Sequence, residues 1–149
     1  MKVAEALREI KSVKGKLSRL WSLYGQSVYY PEDEKPEFDA RELKAQIDEK
    51  TVELRKVKNR VSQANLKAMV KGASLSEALV ELGDLRGEVA QLESIFRNKP
   101  ENNYLSERTI RHFSAYSDLE QVQRIEELGE KIEKLDNEIQ KVNWQFELP

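Results

Sequence analysis

Cysteine is absent from this sequence of 149 residues, and histidine occurs once, at His112. Without a thiol the chain can form neither a disulfide framework nor a cysteine-ligated zinc site, and a thiolate nucleophile is excluded. A single histidine also excludes a His-His metal pair within one chain. We therefore expect no metal, no cofactor and no catalytic residues, and we predict that the protein is not an enzyme.

Long apolar runs are also missing. No stretch approaches the roughly 20 apolar residues that a membrane-spanning helix needs, and the first residues lack the layout of a signal peptide. These absences predict a cytoplasmic protein without a transmembrane segment. Glycine and proline are few, at 6 and 4 residues, whereas charged residues make up 35% of the chain. This composition favours long solvated helices over a compact sheet.

Four segments carry apolar residues at intervals of three and four, which is the pattern of amphipathic helices. The predicted helices cover residues of about 2–25, 39–71, 74–98 and 118–143, separated by loops at 26–38 and 99–117. Asp39 is the predicted N-cap of the second helix. Capping-box patterns at Ser74 with Glu77 and at Ser117 with Glu120 mark the starts of the third and fourth. The predicted fold is a single all-α domain, 1–149, of four long helices in antiparallel hairpins that resemble a bundle or coiled coil.

The hydrophobic period changes at Asn143. Before it the apolar residues recur at helical spacing, whereas Trp144, Phe146 and Leu148 alternate with polar residues. This change predicts an extended C-terminal tail whose apolar side chains need a partner surface. We predict that the tail docks on a short extended segment near 105–113, of its own chain or of a neighbour. The three apolar tail residues are therefore interface candidates.

Small residues form a stripe along the third helix. Gly83, Gly87 and Ala90 recur at spacings of four and three residues, so they share one face. A glycine inside a helix costs about 1 kcal/mol relative to alanine, which indicates that another element packs closely there. That element is either another part of the helical hairpin or a second subunit, and the sequence leaves both interpretations open.

Several polar residues could meet between the helices. The set comprises Asn65, Glu77, Arg86 and Asn143. A polar pocket built from these side chains is geometrically allowed, although no motif in the sequence requires it.

Charge is distributed in blocks. Residues 55–73 contain six bases and no acid, whereas residues 118–149 contain nine acids and four bases. We expect the acidic fourth helix to neutralise the basic block, within the chain or between subunits. The block also lacks aromatic residues that could stack on bases, so we do not expect nucleic acid among the partners.

Three stretches carry a family resemblance. They are Met1 to Leu7, the pair 61–65 and 74–79, and the ending from Leu135 to Leu148. In this order they resemble a family of small bacterial helical proteins often labelled septicolysin, although the chain departs from that pattern at Ser62 and Gly83. The resemblance implies an all-helical fold with an ordered C-terminal tail.

Long amphipathic helices, the stripe of small residues and the alternating tail all offer surface for association. We therefore predict a helical protein that acts through self-assembly or protein–protein interaction as a homo-oligomer with unknown further partners. Two alternatives stay open. One is a membrane-active, toxin-like protein, as the septicolysin label implies; the other is an enzyme or small-ligand binder with a polar pocket between helices.

Overall fold

The computed structural model describes residues 1–100 and 111–149. Its elements are α1 (Val3–Val28), α2 (Ala40–Lys67), β1 (Met69–Val70), β2 (Ala73–Ser74), α3 (Leu75–Arg97) and α4 (Asp118–Gln145). The predicted all-α class is confirmed, because four helices contain most of the described residues and the strands found among them form one short antiparallel pair. The coiled-coil character and the single domain stay predictions.

The chain groups into two compact units. Unit 1 comprises Met1–Leu75 with Gln140–Pro149, and unit 2 comprises Ser76–Ile139. Unit 2 is therefore one continuous stretch of sequence, whereas unit 1 joins the two ends of the chain.

A β-hairpin ends α2 earlier than the sequence predicts. The helix stops at Lys67, and β1 and β2 follow with Lys71 and Gly72 between them. Both turn residues have positive φ, 50° and 91°, as a two-residue hairpin of the I′ kind requires. Lys71 and Gly72 thus form a turn between strands, and the predicted helix end at this position is wrong by four residues.

In unit 1, α1 and α2 pack against each other in antiparallel orientation. Val3 and Ala6 at the start of α1 share a buried cluster with residues near the end of α2. Further along α1, Val13 and Leu17 pack with Ile47 and Leu54 of α2. Asp39 caps α2, since its carboxylate accepts a hydrogen bond of 2.8 Å from the Arg41 N–H. The predicted N-cap is confirmed.

In unit 2, α3 and α4 lie side by side with opposite directions. Ion pairs connect the two helices, and their residue numbers rise along α3 as they fall along α4. The pairs are Arg86–Asp136 at 3.5 Å, Glu88–Arg124 at 3.1 Å and, just after the end of α3, Lys99–Asp118 at 3.0 Å. The capping box at the start of α4 is confirmed. The Ser117 N–H donates to Glu120 Oε2 at 2.7 Å, and the Glu120 N–H donates to Ser117 Oγ at 3.1 Å.

Candidate interaction surfaces

The C-terminal tail pairs with the first residues of its own chain. The Val3 N–H donates to the Phe146 carbonyl at 3.1 Å, and the Leu148 N–H donates to the Met1 carbonyl at 2.9 Å. These bonds form an antiparallel bridge between Lys2 and Glu147. The pairing of residues 1–3 with residues 146–148 is named the terminal clasp.

Side chains reinforce the terminal clasp. Leu148 is buried in the cluster that contains Val3, and Phe146 packs against the same cluster. Lys2 Nζ lies 2.8 Å from Glu147 Oε1 and donates to the Gln145 carbonyl at 3.1 Å. The Lys2 ammonium hydrogen-bonds the Glu147 carboxylate and attracts it, so it lowers the pKa of that group.

The terminal clasp corrects two predictions about the tail. First, α4 continues to Gln145, so Trp144 belongs to the helix and only the residues after it are extended. Second, the tail pairs with residues 1–3, whereas the predicted partner was the segment near 105–113. Most of that segment lies outside the described residues, and residues 111–113 belong to no helix or strand. Phe146 and Leu148 therefore pack within unit 1, and the role of the three apolar tail residues in an interface stays a prediction.

Sequence reasoning missed the partner of the tail because 145 residues separate Lys2 from Glu147. Neither the alternating pattern nor the helical period carries information about such distant pairing. The only available signal was the opposite charge of these two side chains, which is too common in this chain to single them out.

Trp144 makes a contact of a different kind. The guanidinium carbon of Arg8 lies 4.6 Å from the centre of the indole ring, which is a cation–π arrangement. About half of the Trp144 side chain remains exposed. The contact fixes one basic side chain of α1 at the surface.

The small residues of α3 face solvent. Gly83, Gly87 and Ala90 are all exposed. A Cβ added to either glycine would meet no atom of the described structure within 4 Å. The tight contact within the hairpin, which was one of the two interpretations, is therefore not made by the described residues. The subunit interface stays a prediction.

The four residues of the predicted polar pocket divide between the two units. Asn65 and Asn143 belong to unit 1, whereas Glu77 and Arg86 belong to unit 2. Arg86 pairs with Asp136, and Asn143 is buried. Neither of the two cavities described in unit 2 is lined by any member of the set. The polar pocket stays a prediction.

Many bases of unit 1 form no ion pair among the described residues. In the part of the chain that the structure describes, no ion pair engages the basic residues of α1 and α2 that follow. They are Arg8, Lys11, Lys14, Lys16, Arg19, Arg55, Lys56, Lys58, Arg60 and Lys67. Arg60 instead donates to the Pro149 carbonyl at 3.0 Å. The neutralisation of residues 55–73 by the fourth helix, within the chain or between subunits, stays a prediction.

A cleft of about 1130 Å³ opens in unit 2 between the end of α3 and the start of α4. Leu92, Ile95 and Ile125 supply apolar lining, and Phe113 and Tyr116 are exposed beside them. Across residues 1–100 and 111–149, no group of three or more acidic, histidine or cysteine side chains is placed to hold a metal ion. None of the helices in that same part of the chain is long and apolar enough to cross a membrane.

The described residues define the structural class of this protein. It is an all-α protein in which four long helices are described, with a small β-hairpin between the second and third. Residues 11–148 match the model of a family of unknown function, DUF6847, and the chain belongs to that family. A solved structure with a similar fold is described as a functionally unknown conserved protein from Corynebacterium diphtheriae. The two share a TM-score of 0.88 and 21% sequence identity, over 100% of this chain and 99% of that one. No curated protein matches the chain.

These findings overturn the resemblance to septicolysin. The matching family is one of unknown function, and the similar solved structure is described as functionally unknown. Short stretches such as 61–65 are too brief to separate one family of charged helical proteins from another. The toxin-like alternative rested on that label and loses its basis with it.

Proposed function

We propose that this protein acts without turnover, by self-association through the outward face of α3. The observation that carries the proposal is that this face is exposed and uncharged in a chain with 35% charged residues. Its residues are Val80, Gly83, Gly87, Ala90 and Ser94, which we name the α3 face. At 1.5 Å per residue the α3 face is about 21 Å long. A cytoplasmic location remains part of the proposal.

Val80 gives the α3 face an apolar side chain larger than those of its glycine, alanine and serine residues. Its side chain is 63% exposed, so a β-branched apolar residue stands in water at one end of the face. The two glycines lower the stability of the isolated helix and gain no contact within the described structure. Another helix could approach the α3 backbone closely at the two glycines, and its contact with Val80 would bury the exposed valine side chain.

A second copy of this chain is the partner that we propose. Helical periodicity places Asp84 along one edge of the α3 face and Arg86 along the other. Two copies in parallel orientation would therefore bring acidic and basic edges together. A second copy also brings the same small side chains to the contact, which both helices need for close packing.

Measurement of molar mass by light scattering tests the proposal. We expect the wild type to approach twice 17.3 kDa as its concentration rises. Val80→Lys would place a charge in the contact and return the mass to that of one chain. Val52→Lys is the matched control, because Val52 is an exposed helical valine on α2 in unit 1.

Two outcomes would contradict self-association through the α3 face. One is a wild type with the mass of a single chain at every concentration. The other is an equal loss of the dimer in the Val80 and Val52 variants. Circular dichroism of each variant checks that its helices are retained.

The cleft of unit 2 supports a second candidate function, the binding of an apolar small molecule. Its volume of about 1130 Å³ is close to the upper end of ligand sites, and its lining combines apolar side chains with a charged rim. The dye 1-anilinonaphthalene-8-sulfonate is a suitable probe. We expect Ile95→Glu to reduce the dye's fluorescence, whereas Val52→Glu leaves it unchanged. Equal fluorescence of the wild type and Ile95→Glu would reject this candidate.

A further inference from the structure

The surface of α1 that faces away from α2 carries basic residues separated by serines and a glycine. Val13 and Leu17 face α2, so helical periodicity places the residues about half a turn away on the opposite side. That side carries Arg8, Lys11, Ser12, Gly15, Ser18, Arg19 and Ser22, which we name the α1 face. All seven are exposed. The α1 face spans about 21 Å and contains only bases, hydroxyls and a glycine.

The charges of the α1 face have no partner in the described structure. Lys11 and Arg19 take part in none of the ion pairs formed there, and Arg8 contacts only the Trp144 ring among charged or aromatic groups. The expectation of no nucleic acid concerned a different basic block, residues 55–73, and was based on neutralisation by the acidic fourth helix and on the lack of aromatic residues there. On the α1 face, Lys11 and Arg19 have no ion-pair partner among the described residues, so a cation-rich surface is exposed in a protein whose formal net charge is −2.

We infer that the α1 face binds the phosphate backbone of double-stranded nucleic acid, without reading its sequence. Three cations spaced along one helix complement a row of phosphates, and serine hydroxyls can donate to phosphate oxygens. Gly15 leaves open space at the centre of the face, where a backbone could approach closely. The Arg8–Trp144 contact holds one cation at the surface before binding.

Two other anionic partners fit the α1 face less well. A helix that lies on a membrane inserts its apolar side, but the apolar side of α1 is packed against α2. Single-stranded nucleic acid is bound largely by stacking on aromatic rings, and the seven residues of the α1 face include none. The Trp144 ring lies beside this face, but the Arg8 guanidinium already stacks on it. Binding to the phosphates of a duplex requires cations and hydrogen-bond donors on an accessible surface, and the α1 face has both.

Fluorescence anisotropy with a labelled DNA duplex of about 20 base pairs tests the inference, since that length exceeds the α1 face. We expect the wild type to bind at low salt, with affinity that falls as salt rises. The variant Arg8→Gln/Lys11→Gln/Arg19→Gln should bind at least about tenfold more weakly, and the slope of log affinity against log salt should be shallower by about 2 to 3. The matched control Lys35→Gln/Lys131→Gln/Lys134→Gln loses the same charge from other exposed positions.

A second variant keeps every cation. Ser12→Glu/Ser18→Glu adds two negative charges to the α1 face at exposed positions and should also weaken duplex binding about tenfold or more. Three results would overturn the inference: no binding by the wild type at low salt, an equal loss in the control variant, or binding to phosphatidylserine vesicles but not to the duplex. Circular dichroism confirms that the variants compared are equally helical.

Discussion

Glycine serves two different purposes in this chain. Gly72 has a φ of 91° in the turn between β1 and β2, a conformation that strains any residue with a side chain. Gly83 and Gly87 instead lie within α3, with open space where a Cβ would point. At the first position the backbone requires glycine. At Gly83 and Gly87, glycine makes the helix of the isolated chain less stable than alanine would.

Alanine substitutions should separate these purposes. Gly87→Ala is expected to raise the free energy of unfolding of the dilute monomer by about 1 kcal/mol, because alanine favours the helix and meets no neighbour. Gly72→Ala should lower it by about 1 kcal/mol or more, since φ stays positive. Urea titrations followed by circular dichroism measure both. Gly129→Ala in α4 is the control for the helical effect, and a destabilised Gly87 variant would contradict the open geometry.

Lys2 controls the titration of Glu147. The ammonium lowers the pKa of the carboxyl, so the contact stabilises unit 1 at neutral pH and is lost as the pH falls through the lowered pKa. We expect Lys2→Met to raise the pKa of Glu147 toward its ordinary value. Carboxyl NMR titration measures it. Lys44→Met is the control because Lys44 pairs with Asp48 instead, and the same pKa in all three proteins would argue against the contact.

Elements with a local cause were predictable from the sequence. The periodicity of apolar residues located all four helices, and Asp39 and the Ser117–Glu120 pair marked two helix starts with the hydrogen bonds expected. The hairpin at Lys71 and Gly72 was misread because β1 and β2 have two residues each, too few to show an alternating pattern. The terminal clasp depends on distant pairing, which no local pattern encodes.

Of the candidate surfaces, the sequence predicted the composition of the α3 face but not its exposure. Gly83 and Gly87 indicated that another element packs closely on α3. The structure shows that no described residue lies there. The basic surface of α1 was overlooked because its bases alternate with serines and buried apolar residues along the chain. They form one face only after the helix is wound and packed on α2.

The tail should stabilise unit 1 through Leu148. This side chain is buried against Val3, so Leu148→Ala is expected to lower the free energy of unfolding by about 2 kcal/mol or more. Leu66→Ala is the matched control, since Leu66 on α2 is 69% exposed and its truncation removes little buried area. Chemical unfolding of both variants checks the difference. Equal stability of the two would mean that the terminal clasp does not contribute to the fold.

At the scale of the whole molecule, the two proposed surfaces differ in physical character. The α3 face is uncharged, whereas the α1 face is cationic. The charges that flank the first lie only along its edges, so association through the α3 face should depend much less on ionic strength than duplex binding through the α1 face, which should weaken steeply.

A single salt series measures both effects on the same protein. As sodium chloride rises, we expect the molar mass from light scattering to change little while the anisotropy of the labelled duplex returns to its free value. A dimer that dissociates at the salt concentration that releases the duplex would indicate that the two events share one charged surface. That result would contradict the assignment of self-association to the α3 face.

The terminal clasp also sets an order of events during synthesis. The buried cluster of α1 and α2 includes Leu148, so its packing is incomplete until residue 148 has been synthesised. Unit 2, being one continuous stretch from Ser76 to Ile139, can form while the first two helices still wait for their last core residue. In the growing chain, α1 and α2 are therefore synthesised before unit 2 but reach their final stability only after unit 2 has been synthesised.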